Sequence, residues 1–214
     1  KALRQVYKWA LSCDLTEINP AINVPYLASK NPTGFYTWTE QEIEQYESVH
    51  KIGTKARLAI DIFQYTGVRR SDAILLGQPM ERHGTLEFTE QKNKRNEPKA
   101  RVIPILPELR RSIDATHTGP FTYLVTTFNR PFTRAGFGNW FKKRCREASL
   151  EHCSAHGLRK AAAVKAAMGG ASSKQLMAIF GWDSIKMAEH YTKAAETQKL
   201  VMDSMHYLGK TNTR

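Results

Sequence analysis

The chain has 214 residues, long enough to bury a real core in one large domain or in one domain with an appendage. Its 41% apolar and 24% charged residues are ordinary for a soluble globular protein, and no apolar run approaches the ~20 residues a membrane helix needs. Lys and Arg number 32 against 20 Asp and Glu, a net charge of +12, which points to a polyanionic partner because each neutralised phosphate releases counterions.

The chain opens inside a helix and without Met, so it is expected to be a piece of something longer. Leu3, Val6, Tyr7, Ala10 and Leu11 recur at helical spacing, and Pro20 forbids continuation. Residues 29–37, "SKNPTGFYT", carry Pro and Gly between periodic segments and predict a linker. The expected organisation is therefore a first unit over 1–28, this linker, and a main domain over 38–214. Thr39 and Glu42 form the signature of a capping box at the start of a helix. A second helix is expected over 54–65, ended by Gly67, and a short third over 70–76. "TLEFTEQ" and "ARVIPI" predict two strands separated by the basic stretch "KNKRNEPK". Residues 107–115 look helical, and "FTYLVTT" fits either a strand or a helix. Helices are expected at about 133–148, 157–168, 173–180, 185–195 and 197–207. The predicted fold is mainly α with a small antiparallel β-sheet, an α+β arrangement.

Cys13, Cys145 and Cys153 make no CxxC and leave one thiol over in any pairing, which fits a reducing, cytoplasmic compartment. No signal-peptide pattern is present. His152, Cys153 and His156 lie close in sequence, but no second ligand cluster accompanies them and no metal site is expected.

Five features bear on chemistry. In "TGVRRSD" Gly67 permits a tight turn, and Arg69 and Asp72 lie one helical turn apart. Read one way this is a surface ion pair. Read the other, the carboxylate holds an arginine whose guanidinium grips a phosphate. Arg70 faces solvent or a DNA backbone on either reading. Lys92, Lys94, Arg95, Lys99 and Arg101 surround the hairpin turn, either as a solvated loop or as a source of one proton-donating lysine. His156 and Arg159 share the first turn of a helix, where unpaired N–H groups favour an anion. Trp182 follows a Gly turn and offers bulk with one N–H donor. Tyr191 falls on the apolar face of its helix, as packing would require. Among two arginines and a lysine its phenol is expected to have a lowered pKa and to serve as a nucleophile. Lys142, Lys143 and Lys160 are further candidate DNA contacts.

The order TG-V-R-x-x-D, basic hairpin lysine, H-x-x-R, G-W and a Tyr nine residues after the Trp resembles the tyrosine recombinase (phage integrase) family. The resemblance covers roughly residues 38–200. It implies that Arg69 and Arg159 clamp the scissile phosphate and that His156 is a general base and phosphate contact. Lys92 would protonate the 5′ leaving oxygen, with Lys94 as the fallback. Tyr191 would form a 3′-phosphotyrosine, and Asp72 would support the site. Most members carry His where this chain has Trp182, so a phosphate-binding and packing role is implied there. It also implies that residues 1–28 hold the last helix of a core-binding domain. The expected partners are double-stranded DNA and other protomers, forming a tetramer in the synaptic complex with a monomer allowed without DNA. Neither a cofactor nor a metal is implied. Two alternatives share the scaffold: a type IB topoisomerase, and a regulator that binds DNA without cleaving it.

Overall fold

The computed structural model describes residues 2–27, 34–91 and 98–208. The chain divides into two compact units, Lys1–Gly34 and Phe35–Arg214. In the first, helix α1 (Ala2–Ser12) buries none of its residues, and Leu3, Val6 and Trp9 stand exposed. Arg4 Nε donates to the carbonyl of Ala21 at 2.8 Å, folding the following turn back on the helix.

The second unit begins with α2 (Glu40–Val49), whose capping box is complete. Thr39 Oγ1 accepts from the Glu42 N–H at 3.2 Å and Glu42 Oε2 from the Thr39 N–H at 2.7 Å, satisfying two donors that a helix end leaves unpaired. Helix α3 (Lys55–Thr66) is the central element, buried on most sides through Leu58, Ala59, Ile60, Ile62 and Phe63. It ends at Gly67 in the left-handed conformation, φ 59°, as the Gly signal predicts. The next helix, α4 (Arg70–Ala73), is a single turn and stops short of the predicted 76.

Strands β1 (Glu81–Arg82), β2 (Thr85–Thr89) and β3 (Ala100–Pro104) form an antiparallel meander in that order. The register pairs Leu86 with Ile103, both buried, so one face of the sheet closes on the core. Two-residue β1 is too short to carry an alternation and was not expected from sequence. Helix α5 (Pro107–Ala115) packs on α3. "FTYLVTT" is neither strand nor helix. It is an irregular run of bends with Tyr123, Leu124 and Val125 buried and one isolated bridge, Val125 to Pro131.

Helix α6 (Arg134–Glu147) brings Phe137 and Phe141 into an aromatic cluster with Phe63, Tyr46 and Trp38. Each such buried ring contributes about 1.5–3 kcal/mol. Helix α7 (Ala155–Met168) is rich in alanine and packs closely on α3. Its other side joins a second, smaller core with α8 (Ser173–Phe180) and α9 (Ile185–Ser204), built from Ala163, Ala167, Leu176, Phe180, Trp182 and Ala188. The two helices expected at 185–195 and 197–207 are one continuous α9 followed by a 3₁₀ turn, Met205–Leu208. No Gly or Pro interrupts "TKAAETQK", so nothing breaks the helix there. Mainly helical with one three-stranded antiparallel sheet, the fold is of the expected class. None of the described helices is long and apolar enough to cross a membrane.

Candidate active site

Three chain reversals deliver the candidate residues to one place. At the first, Gly67 turns the end of α3 into Arg69, which is extended at the N-terminus of α4. A Cβ on Gly67 would lie 2.4 Å from Cε1 of Phe180, so the turn and α8 are in intimate contact. At the second, Ser154 caps α7 through the Gly157 N–H at 3.4 Å, placing His156 and Arg159 in the first turns. The third is Gly181, again left-handed at φ 61°, which ends α8 and presents Trp182.

Arg159 is only 6% exposed. Its two terminal nitrogens donate to the carbonyls of Gly67 and Phe180, so both glycine turns are tied to one guanidinium. Its Cζ lies 5.5 Å from the Phe180 ring centre and 6.0 Å from that of Trp182. Burial, reinforced by Arg69 and Arg101, brings its pKa down to about 10, which still leaves it charged at neutral pH. Phe180, Trp182 and Tyr191 form a continuous stack, with centroids 4.9 Å apart at 21° and then 5.2 Å apart at 14°. Packing therefore holds the Tyr191 ring, as its place on the apolar face requires.

The electrostatics of Tyr191 run opposite to the expectation. Burial raises its pKa, and the nearby Arg159 offsets this only in part. A half-buried phenol loses more from desolvation of its anion than one adjacent arginine returns. His156 shifts the other way. Burial, then Arg159, Lys160, Arg70 and Arg69, holds its imidazole below the usual value and so keeps it neutral. Its ring rests 4.6 Å from that of Phe35.

Arg69, His156, Arg159, Lys160, Trp182 and Tyr191 line one cleft of about 360 Å³. Arg69 and His156 also line an adjoining groove with Arg70, Arg134 and Lys142. Arg70 lies over the backbone of α6, where a Cβ on Gly138 would approach its Nη1 to 2.8 Å. Lys142 donates to the Glu151 carbonyl, and Lys160 to the Phe35 carbonyl at 2.8 Å. Lys143 is exposed on α6. Lys92, Lys94 and Arg95 lie outside the described residues.

Asp72 does not hold Arg69 as the helical spacing suggested. It is buried and accepts the Gln91 N–H at 2.8 Å, fastening the base of the β2–β3 hairpin, and burial raises its pKa. The carboxylate paired with Arg69 is Glu90, beyond the end of β2, which also accepts from Arg101 at 2.6 Å. Sequence reasoning missed Glu90 and left Arg101 among the hairpin charges. One signal was available for Arg101: in β3 it alternates onto the same face as core residue Ile103. His152 and Cys153 are grouped with Glu42 rather than His156, and their potential ligand atoms lie within 4.8 Å of one another. His152 Nε2 already sits 2.6 Å from Glu42 Oε1 there.

Residues 38–198 match the sequence model of the phage integrase family. A search by sequence among curated proteins finds no match. Among solved structures the fold is similar to XerA recombinase, at 16% identity and a TM-score of 0.64, covering 94% of this chain and 74% of that one. It is similar to a lambda integrase dimer bound to a COC′ core site, at 18% identity and a TM-score of 0.71, covering 86% and 70%. It is also similar to the Tn1549 transposon integrase in complex with transposon right end DNA, at 18% identity and a TM-score of 0.67, covering 92% and 76%. At these identities the structural likeness speaks for the fold.

Proposed function

The chain belongs to the phage integrase family, and from that premise we propose that it is a site-specific DNA recombinase that cuts and rejoins strands through a 3′-phosphotyrosyl intermediate. The observation that carries this reading is the convergence of Arg69, His156, Arg159, Trp182 and Tyr191 on one cleft from three separate stretches of chain.

The chemistry follows from the charges. Attack of the Tyr191 oxygen on a phosphodiester passes through a pentacoordinate transition state carrying extra negative charge. Arg69 and Arg159 offer fixed donors to it, worth most where water is excluded. Because burial raises the Tyr191 pKa, its proton must leave during attack. Neutral His156 is in the right form to accept it. The 5′ oxygen leaves and takes a proton, a role that the family resemblance gives to Lys92. A second alcohol reverses these steps. The phosphotyrosyl ester conserves the energy of the broken bond, so strand exchange needs no ATP.

Double-stranded DNA and further protomers are the partners in this reading. The groove of Arg70, Arg134 and Lys142 suits backbone phosphates beside the scissile one. On α9 and the turn after it, Leu200, Val201 and Leu208 are exposed, which suits docking on a neighbouring protomer in a synaptic tetramer. Residues 1–28 would supply the last helix of a core-binding domain, and the setting would be the cytoplasm of a host carrying the mobile element. A nicked duplex bearing the element's end sequence tests the reading. A covalent protein–DNA band on a denaturing gel is expected, together with joined products when a partner duplex is added. Relaxation of supercoils independent of any site, with no joining, would assign the chain to the topoisomerase class instead.

A further inference from the structure

Glu90 is 3% exposed and carries two partners. Its Oε2 accepts from Arg69, and its Oε1 accepts from Arg101 Nη1 at 2.6 Å. Arg101 is buried as well, and its second terminal nitrogen donates to the carbonyl of Ile179 in the last turn of α8. Gly181 sits directly against this pair. A Cβ there would fall 2.3 Å from both Arg101 Nη1 and Glu90 Oε1. At the surface, Lys99 pairs with Asp183, binding the approach to β3 to the same turn a second time. Among the described residues, the Arg69 guanidinium has no hydrogen-bond partner other than Glu90, and Arg69 lines both the cleft and the adjoining groove.

We propose that Glu90 and Arg101 are the positioning pair of this site: Glu90 fixes the Arg69 guanidinium from behind, and Arg101 carries that placement to the Gly181–Trp182 turn. Neither residue touches the phosphate. Glu90 splits one carboxylate between two arginines, so the orientation of Arg69 and the seat of Trp182, against which Tyr191 stacks, become one mechanical unit. The β2–β3 hairpin shares this base through the Asp72 hold on the Gln91 N–H. The inference rests on the recombinase reading of the cleft.

A side chain that only stabilised the fold would, when changed, lower melting temperature, DNA affinity and cleavage together. A positioning pair separates them. In Glu90→Gln the amide oxygen can accept from one arginine, while its NH2 group faces the other with nothing to accept. The site also gains one positive charge, so duplex affinity is held or increased while the clamp is misaligned. A displacement of about 1 Å at a clamping group is enough for roughly 100-fold in rate.

The experiment uses the full chain and the nicked duplex, measuring single-turnover cleavage and duplex Kd for wild type, Glu90→Gln, Arg101→Met and the double variant. Cleavage is expected to fall ~10–100-fold in each single variant, with Kd no weaker than wild type. The double variant should be no slower than the worse single, since both act through one unit. Arg101→Lys, which keeps the charge and reaches one partner, should recover part of the rate and serves if Arg101→Met does not fold. Cleavage within about threefold of wild type in Glu90→Gln, or losses that simply multiply in the double variant, would overturn the inference. Absence of cleavage by wild type itself would instead overturn the recombinase reading beneath it.

Discussion

Replacing Trp182 separates packing from phosphate contact at the position where this family more often carries His. The indole is 8% exposed and lies between Phe180 at 4.9 Å and Tyr191 at 5.2 Å. Trp182→Ala removes a nearly buried large ring and both stacks, a cost of about 3–5 kcal/mol. Within that sum each stack contributes roughly 0.5–1.5 kcal/mol beyond area burial. For the unit Phe35–Arg214 this corresponds to a Tm lower by about 6–20 °C. Trp182→Phe keeps an aromatic face against both neighbours and should cost about 1 kcal/mol, or ~2–4 °C. Among the described residues the Trp182 indole N–H has no hydrogen-bond partner, and the residue lines the cleft, so that donor is available to a phosphate oxygen. Loss of one such preorganised donor slows reaction by up to about 100–1000-fold. The assay pairs thermal melting with single-turnover cleavage of the nicked duplex. The Phe variant should melt almost as wild type and cleave at least ~10-fold more slowly. A Phe variant that cleaves at the wild-type rate would reduce Trp182 to packing, and an Ala variant with an unchanged Tm would refute the stacking argument.

Two further outcomes follow from the same geometry. The His156 imidazole is held below its ordinary value of 6.5 by burial and by four surrounding cations. The fold thus favours the neutral ring, so its contribution to stability is complete above the unfolded pKa and is lost as pH falls through the lower folded value. Titration by NMR should place His156 below 6.5 in the free protein and move it upward when duplex supplies a phosphate; a value above 6.5 without DNA would contradict the described environment. Gly67→Ala puts a side chain at φ 59° and 2.4 Å from the Phe180 ring. The left-handed backbone alone costs about 1–2 kcal/mol. Displacement of Phe180, whose carbonyl holds Arg159, should depress Tm and cleavage together, and a variant unchanged in both would show that the contact carries no strain.

Much of the fold was legible because its signals are local. The Thr39–Glu42 box, the glycine stops at 67 and 181 and the alternation of Leu86 and Ile103 each need only a few neighbouring residues. The convergence of Arg69, His156, Arg159, Trp182 and Tyr191 was legible only as a motif order, since no local rule brings residues so far apart to one cleft. What escaped was governed by tertiary contact. Glu90 reads as one polar residue in a basic run, yet it sits under Arg69 and Arg101 because the hairpin folds onto α8. The helical spacing of Arg69 and Asp72 suggested an ion pair, but the buried Asp72 carboxylate is turned to the Gln91 amide. Counting nearby cations leads to the wrong sign for the Tyr191 pKa. The desolvation that reverses it comes from the second core, which sequence spacing does not measure.

The nucleophile can be identified directly by trapping the nicked-duplex adduct, digesting the protein and sequencing the peptide that retains the nucleotide by mass spectrometry. A single modified peptide containing Tyr191, bearing a 3′-linked phosphate and absent from Tyr191→Phe, is expected. An adduct on any other residue, or one that persists in Tyr191→Phe, would contradict the assignment of the reaction to this cleft.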